Sequence, residues 1–410
     1  MEQKDSGREL LDQALVPEGV YDDGNRFWFM ERDYNALFRV TKKDLRVKLV
    51  GTVPDEGFMR KGLYPSITPC GKRLYFAPGS AEEIAEYDLL QKNFRKIPIP
   101  IPRIEGPLLW EQAKFFGAEV TGNKIYFIPD RYPGILCYDA GRDVFFCCDE
   151  WVDEIEKLRS LAGSGYFVSY VRAGNQLILP CFCADAVVVL DMITGVSHVI
   201  KTSCTEGKFK YTGIAYAEGY FYLVTAGGTV LKRKLEAEDE EITVFPFFAQ
   251  REKEIEFYPV KYAGSYLYLF PFEGNRGVKI NVADGQASWE PLLDTDDPPG
   301  SCIFLPGCFM NGKMYAAARN GCSFLEYDFR EKNKRKISLF SAVSDRMILR
   351  NHKAEEFKKL SGTEYVTESD AYPLFFLLGA ETAKSGGRNA DFPETGADVG
   401  RRIYQSVRPE

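Results

Sequence analysis

Seven times along its 410 residues the chain repeats one short phrase: a glycine, one or two polar residues, then an apolar and aromatic run. It reads Gly24-Asn25-Arg26-Phe27-Trp28-Phe29, Gly71-Lys72-Arg73-Leu74-Tyr75-Phe76 and Gly122-Asn123-Lys124-Ile125-Tyr126-Phe127 in the first three copies. Copies follow at Gly174, Gly219, Gly264 and Gly312, so the interval stays between 45 and 52 residues. A phrase returning at that period marks supersecondary units that bury their apolar faces against one another.

Each copy carries further marks. A proline closes the aromatic run at Pro78, Pro129, Pro180 and Pro271, where a residue without an N–H suits the end of a strand. A second apolar run then ends in an aromatic or aliphatic residue plus aspartate: Tyr87-Asp88, Tyr138-Asp139, Leu190-Asp191 and Tyr327-Asp328. Turn residues and a further short strand follow, and one more strand precedes each glycine, for example Phe116 to Val120 and Phe167 to Val171. The unit is therefore four strands joined by tight hairpins, with glycine supplying positive φ in the first. Seven such units predict an all-β fold, a seven-bladed β-propeller of four-stranded blades, with six or eight blades as alternatives. The propeller is assigned to residues 1–340 and a small helical and loop tail to 341–410.

The pattern resembles the kelch type of propeller in its glycine hairpin, its Tyr-Asp pair and an aromatic in the last strand (Phe94, Phe146, Trp289). Kelch blades carry a glycine doublet where this chain has a single glycine, and the last-strand tryptophan survives only at Trp289. The resemblance implies a propeller that acts as a binding or interaction scaffold.

Bulk composition narrows the chemistry. With Lys plus Arg at 52 against 59 acidic residues the formal charge is −7, which lacks the basic footprint of a nucleic-acid binder. No run approaches the ~20 apolar residues that span a bilayer, and the polar first ten residues do not read as a signal peptide. A cytoplasmic protein with reduced, buried cysteines is expected. Tyr, Phe and Trp are abundant (23, 30 and 4), whereas histidine occurs only at His198 and His352. Ser-His and Cys-His machinery therefore has little to draw on. Gly163-Ser164-Gly165 lacks the flanks of a hydrolase elbow. Cys181 and Cys183 share a strand face but have no further Cys or His to complete a zinc site. No metal and no cofactor is expected.

Outside the repeat, Trp151 to Leu161 has helical spacing, and residues 106–114 and 250–256 are loop insertions. The stretch 354–360, the apolar run 372–378, the linker 383–395 and a helix near 398–407 compose the tail. The acidic run 236–241 and basic run 332–336 are read as solvated turns.

Function in a propeller concentrates in loops and at the channel mouth. The repeat places Tyr64, Glu111, Lys114, Tyr166, Lys208, Lys210, Tyr211, Glu256 and Tyr258 at the entry end of the innermost strands. A solvated rim is the simpler reading of these side chains, and a site for a sugar or other polar molecule is the sharper one. Blade one departs from the repeat in Trp28-Phe29-Met30-Glu31-Arg32-Asp33-Tyr34-Asn35, where Glu31 stands in place of proline, which adds Trp28, Glu31 and Asn35 as candidates. The expectation is a non-catalytic scaffold holding a protein partner or polar small molecule at the mouth, without nucleic acid or membrane. The alternative is a carbohydrate-active or other small-molecule enzyme using mouth carboxylates.

Overall fold

In the computed structural model, β-strands pair only with their sequence neighbours, giving seven separate antiparallel sheets of four strands. The structure describes residues 15–56, 62–102, 113–202, 209–226, 228–234, 243–246, 257–271, 276–291, 302–310, 312–318 and 323–339, with 342, 345, 348 and 349. Blade 1 is β1 (Pro17–Asp22), β2 (Arg26–Glu31), β3 (Ala36–Thr41) and β4 (Val47–Thr52); blade 2 is β5 (Ser66–Cys70), β6 (Arg73–Ala77), β7 (Glu83–Asp88) and β8 (Asn93–Pro98). Blade 3 is β9 (Phe115–Thr121), β10 (Lys124–Pro129), β11 (Ile135–Asp139) and β12 (Val144–Cys148). Blade 4 is β13 (Val171–Ala173), β14 (Gln176–Pro180), β15 (Ala186–Asp191) and β16 (Ser197–Lys201). Blade 5 comprises β17 (Tyr211–Ala217), β18 (Tyr220–Thr225), β19 (Thr229–Lys234) and β20 (Thr243–Pro246). Blade 6 has β21 (Phe257–Ala263), β22 (Tyr266–Pro271), β23 (Arg276–Asn281) and β24 (Ala287–Pro291), and blade 7 has β25 (Cys302–Met310), β26 (Lys313–Ala318), β27 (Ser323–Asp328) and β28 (Asn333–Ser338). The first strand of each blade is innermost, and the fold is the seven-bladed propeller that the repeat predicts.

The aromatic runs are apolar throughout because the second strand of each blade is covered on both sides. Strand side chains alternate between faces, and the packing follows that alternation. Tyr75 and Ala77 of β6 meet Ile125 and Phe127 of β10. Tyr126 and Ile128 of β10 meet Leu177 and Leu179 of β14. The same exchange joins Tyr222 and Val224 to Leu267 and Leu269, and Tyr268 and Phe270 to Met314 and Ala316. Tyr or Trp holds the forward-facing position in six blades, as Trp28, Tyr75, Tyr126, Tyr222, Tyr268 and Tyr315, and Ile178 holds it in blade 4. Several reach the next blade with polar atoms as well: Tyr126 Oη donates to Met192 O at 2.6 Å, and Tyr315 Oη to Asp22 Oδ2 at 2.9 Å.

That last bond closes the ring. Blades 1 and 7 are each contiguous in sequence, so closure joins two faces and no blade borrows a strand from the other end of the chain. Phe27 packs edge-on to Tyr315 at 5.1 Å, and Phe29 meets Phe324 at 5.5 Å and 90°. Buried Asp22 accepts Tyr315 and also pairs with Lys42 Nζ at 2.6 Å. Leu15 N donates to Leu339 O, and Leu49 N to Asp345 Oδ2.

On one face of the ring the hairpins are short and alike. Glycines 71, 122, 174, 219, 264 and 312 all adopt positive φ there, as the repeat requires. The recurrent aspartate is the turn cap: Asp88 Oδ1 accepts from the N–H of Leu90 and Gln91, Asp191 from Ile193 and Thr194, and Asp328 from Arg330 and Glu331. These backbone donors hold all three carboxyls below the usual aspartate range. Asn281 caps the same turn in blade 6, accepting from Ala283 N.

Blade 4 departs from expectation. The strand anticipated at Phe167 to Val171 is reduced to a single bridge from Phe167 to Cys181, and pairing resumes only at β13. Between the two, the Tyr170 ring lies against the hydrogen-only flank of Gly117, where a Cβ would come within 2.7 Å. The anticipated helix is present as α1 (Val152–Leu158). Cys70, Cys137, Cys148, Cys181 and Cys183 are buried, and no disulfide joins the described cysteines. Burial pushes the Cys183 thiol up to about 11 and likewise raises that of Cys181.

The chain divides into two compact units, Met1–Glu56 with Arg60–Arg346, and Gly57–Met59 with Met347–Glu410. In the second only Ile348 and Leu349, both helical, are described. The expected tail elements at 354–360, 372–378, 383–395 and 398–407 lie outside the described residues, as does the acidic run 236–241. Among the described residues no helix is long and apolar enough to cross a membrane.

Two outcomes are expected. Tyr315→Phe removes one buried, charge-assisted hydrogen bond at the closure and lowers stability by about 1.5–3 kcal/mol in urea unfolding. For the turn aspartates, a carboxyl held low in the folded state stabilises the protein above its unfolded pKa, and that stability is lost as pH falls through the folded value. Replacing Asp88, Asp191 and Asp328 together by Asn keeps the acceptor, as Asn281 does, and removes the titration. The Tm of the triple variant therefore falls less than wild type between pH 6 and pH 3, as read by thermal melts.

Candidate functional site

The opposite face holds the turns between the second and third strands and the described parts of the connections between blades, at 53–56, 62–65, 99–102, 113–114, 149–170, 202 and 209–210. Here the repeat is least uniform. A belt of backbone hydrogen bonds runs around this mouth, each turn tied to the next inter-blade connection. Arg32 N donates to Val16 O and Gly62 N to Arg32 O; Gly79 N donates to Leu63 O, and Lys114 N to Gly79 O. Asp130 N then donates to Lys114 O, Tyr166 N to Asp130 O, Phe182 N to Tyr166 O, Lys210 N to Phe182 O and Ala226 N to Lys210 O, all at 2.5–3.0 Å. These bonds satisfy main-chain groups that the passage between sheets would otherwise leave bare.

Of the residues anticipated at the mouth, Tyr64, Lys114, Tyr166, Lys210 and Tyr211 are described, and their side chains pack into this face. Lys114, Tyr166 and Lys210 occupy one equivalent position of the belt in blades 3, 4 and 5. Buried Lys114 directs Nζ to Ala81 O at 2.9 Å, and Lys210 pairs with Asp185 at 3.1 Å. Tyr64 and Tyr211 are each fully buried one position further on. Tyr64 Oη donates to Glu56 Oε1, and Glu56 continues through Lys96 to Glu83 at 3.2 and 3.0 Å. Tyr211 Oη bonds Thr202 Oγ1 at 2.6 Å.

Tyr166 belongs to a larger assembly under α1. Its hydroxyl donates to Glu156 Oε1 at 2.6 Å, its face carries the Arg159 guanidinium at 4.6 Å, and Trp151 meets it edge-on at 5.0 Å. Arg159 clasps both oxygens of Glu156 and donates to Ser164 O. Burial alone would push Glu156 up, but the hydrogen bonds from Arg159 and Tyr166 outweigh it and leave its carboxyl below the usual range.

In blade 1, Glu31 fills the place of the strand-ending proline. Its Oε1 accepts from Val16 N at 3.3 Å and its Oε2 from Tyr34 N at 2.8 Å. Asn35, at φ +49°, accepts from Leu63 N through its side chain and from Val53 N through its carbonyl. Together they hold the turn and the start of blade 2. Trp28 lies apart from this group, in the blade 1–2 interface, with Nε1 donating to Asp23 Oδ2. Glu111, Lys208 and Glu256 lie outside the described residues, as does the side chain of Tyr258 on β21.

The residues that reach the mouth opening are turn and loop residues to which the repeat assigns no type. Arg32 is exposed and Asp130 partly so. Phe182 and Phe209 stack at 4.6 Å and 21° beside the Lys210–Asp185 pair, each only partly buried. Glu18, on β1, has its Oε2 buried without a hydrogen-bond partner. Burial pushes its carboxyl up to about 7; Arg32 lowers it in part and Asp33 raises it. No metal-ligating cluster occurs among the described residues.

No protein-family model matches the chain, and no curated protein sequence does. Solved structures do. A catalytically inactive His-to-Ala variant of virginiamycin B lyase from Staphylococcus aureus, with quinupristin, is 14% identical, with TM-score 0.55 over 75% of this chain and 94% of that one. A streptogramin B lyase structure is also 14% identical, with TM-score 0.53 over 75% and 92%. The extracellular domain of a one-component system protein from B. thetaiotaomicron is 11% identical, with TM-score 0.52 over 75% of this chain and 38% of that one. At these identities the likeness concerns the propeller fold alone.

Tyr166→Phe tests the assembly under α1. It removes one hydrogen bond to a carboxylate, lowers stability by roughly 1–3 kcal/mol in urea unfolding, and speeds proteolysis between Arg159 and Gly165.

Proposed function

We propose that this protein is a binding scaffold whose ligand or partner docks at the mouth of the propeller. The observation that carries the reading is the contrast between the two faces. One repeats the same capped hairpins, whereas the other collects the long connections, α1, the altered blade 1 turn and the buried lysines on a hydrogen-bonded frame. Variable segments on a rigid scaffold are where recognition is built. Arg32, Asp130 and the Phe182–Phe209 pair supply charge and aromatic surface there.

A binding role fits the chemistry of the site better than the lyase activity named for the structural neighbours. The lyase variant described as inactive has lost a histidine. Here the sole histidine among the described residues is His198, exposed on outermost strand β16. The mouth carboxylates Glu31, Glu56 and Glu156 are engaged with backbone, tyrosine, lysine or arginine donors, as structural anchors are.

A thermal-shift screen against sugars, nucleotides, organic acids and amines tests this reading. Ligands that raise Tm are expected to bind at least tenfold more weakly to Arg32→Ala or Phe182→Ala, and unchanged to Lys72→Ala on the other face. Ligands insensitive to both mouth variants would overturn it.

A further inference from the structure

Two buried polar atoms at the mouth ends of neighbouring strands have nothing to bond. Glu18 Oε2 and Ser66 Oγ both lack a hydrogen-bond partner. They stand at the mouth ends of β1 and β5, the adjacent innermost strands of blades 1 and 2. A buried acceptor left unmade costs about 1–3 kcal/mol, more when charged. A group retained in that state calls for an explanation, and a bound partner that completes it is one.

The surrounding backbone is shaped around this pair. Strand β1 breaks register between Glu18 and Val20, and intervening Gly19, at φ +61°, sits directly on Ser66: a Cβ there would lie 2.8 Å from Ser66 Cα. Gly62, at φ +64°, closes the other side. A Cβ on Gly62 would stand 3.1 and 3.3 Å from the two oxygens of Glu18. Two left-handed glycines thus bring the strands together and keep space at the carboxylate. Gly62 also belongs to the backbone belt through Arg32 O, which places this niche on the mouth side of the ring.

We propose that this niche is a binding site for the primary ammonium group of a small molecule, held by Glu18 and Ser66. An ammonium has three donors and no acceptor. Both unmet oxygens accept, and a positive charge is the partner that a buried carboxylate lacks. Asp33 reinforces the negative charge at Glu18, while Arg32, whose guanidinium stands 4.0 Å from Asp33, offsets part of it. The site rests on the reading of the mouth as the binding face, and names one class of ligand for it.

Glu18 must be ionised to hold an ammonium. With its carboxyl at about 7, acted on by Arg32 and Asp33, the ionised fraction rises about tenfold from pH 6 to pH 8. Affinity follows the same course, and binding at pH 6 releases a proton.

Isothermal titration of the full chain with ethanolamine and putrescine, with glycerol and acetate as controls, tests the site. Both amines are expected to bind about tenfold more tightly at pH 8 than at pH 6, with proton release at pH 6 seen as a dependence of heat on buffer. Glu18→Gln, which keeps the shape, should weaken binding at least tenfold and abolish the pH dependence, and Ser66→Ala should weaken it severalfold. Equal binding of glycerol, no amine binding, or amine binding unchanged in Glu18→Gln would each overturn the proposal. If amines fail while another ligand class binds and is sensitive to Arg32→Ala or Phe182→Ala, the mouth reading stands and the ammonium site falls. Ligands insensitive to every mouth variant remove both.

Discussion

Everything in this propeller depends on two-sided burial of the second strand in each blade. An isolated four-stranded sheet would expose both of those faces to water, and aromatic side chains make that exposure costly. The forward-facing residue of one blade and the backward-facing pair of the next form a single layer of core, repeated between blades. Such an arrangement has no natural end, so the first and last faces must find each other. Phe27 and Phe29 meet Tyr315 and Phe324 for the reason that Tyr126 meets Leu177, and Asp22 adds a polar lock to that joint.

This regularity explains why so much of the fold is legible in the sequence. The glycine hairpins, the prolines and the Tyr-Asp pairs recur because each blade solves the same local problem, and a periodic demand leaves a periodic trace. The aspartates are legible as turn residues since their oxygens cap nearby N–H groups. The aromatic ahead of each of them is legible as core. Trp28, singled out as a departure, proves to occupy the place of Tyr75 and Tyr126, so its novelty is one of size. Blade 4 is less legible: Tyr170 docks on Gly117, a contact between blades that leaves no local mark in the sequence.

The mouth was legible in location and much less so in detail. Counting from the repeat located Lys114, Tyr166 and Lys210 at equivalent places, and the structure brings them into one belt. It could not reveal that these side chains face into the wall, because their partners, Ala81, Glu156 and Asp185, lie outside the repeat phrase. Nor could spacing single out Glu18, whose neighbours Gly62 and Ser66 arrive from the next blade. What reaches solvent at the mouth comes from turn residues such as Arg32 and Phe182, where the repeat imposes no residue type.

Closure between whole blades also has a bearing on how the chain acquires its fold. A blade that borrowed a strand from the far terminus would stay incomplete until synthesis ended. Here blade 1 can pair all its own strands as soon as β4 has emerged. Its outward aromatic face must nonetheless wait for Tyr315 and Phe324, nearly 300 residues later. The nascent protein is thus a growing stack with a sticky leading surface, whose most hazardous interval is the time between the first blade and the last.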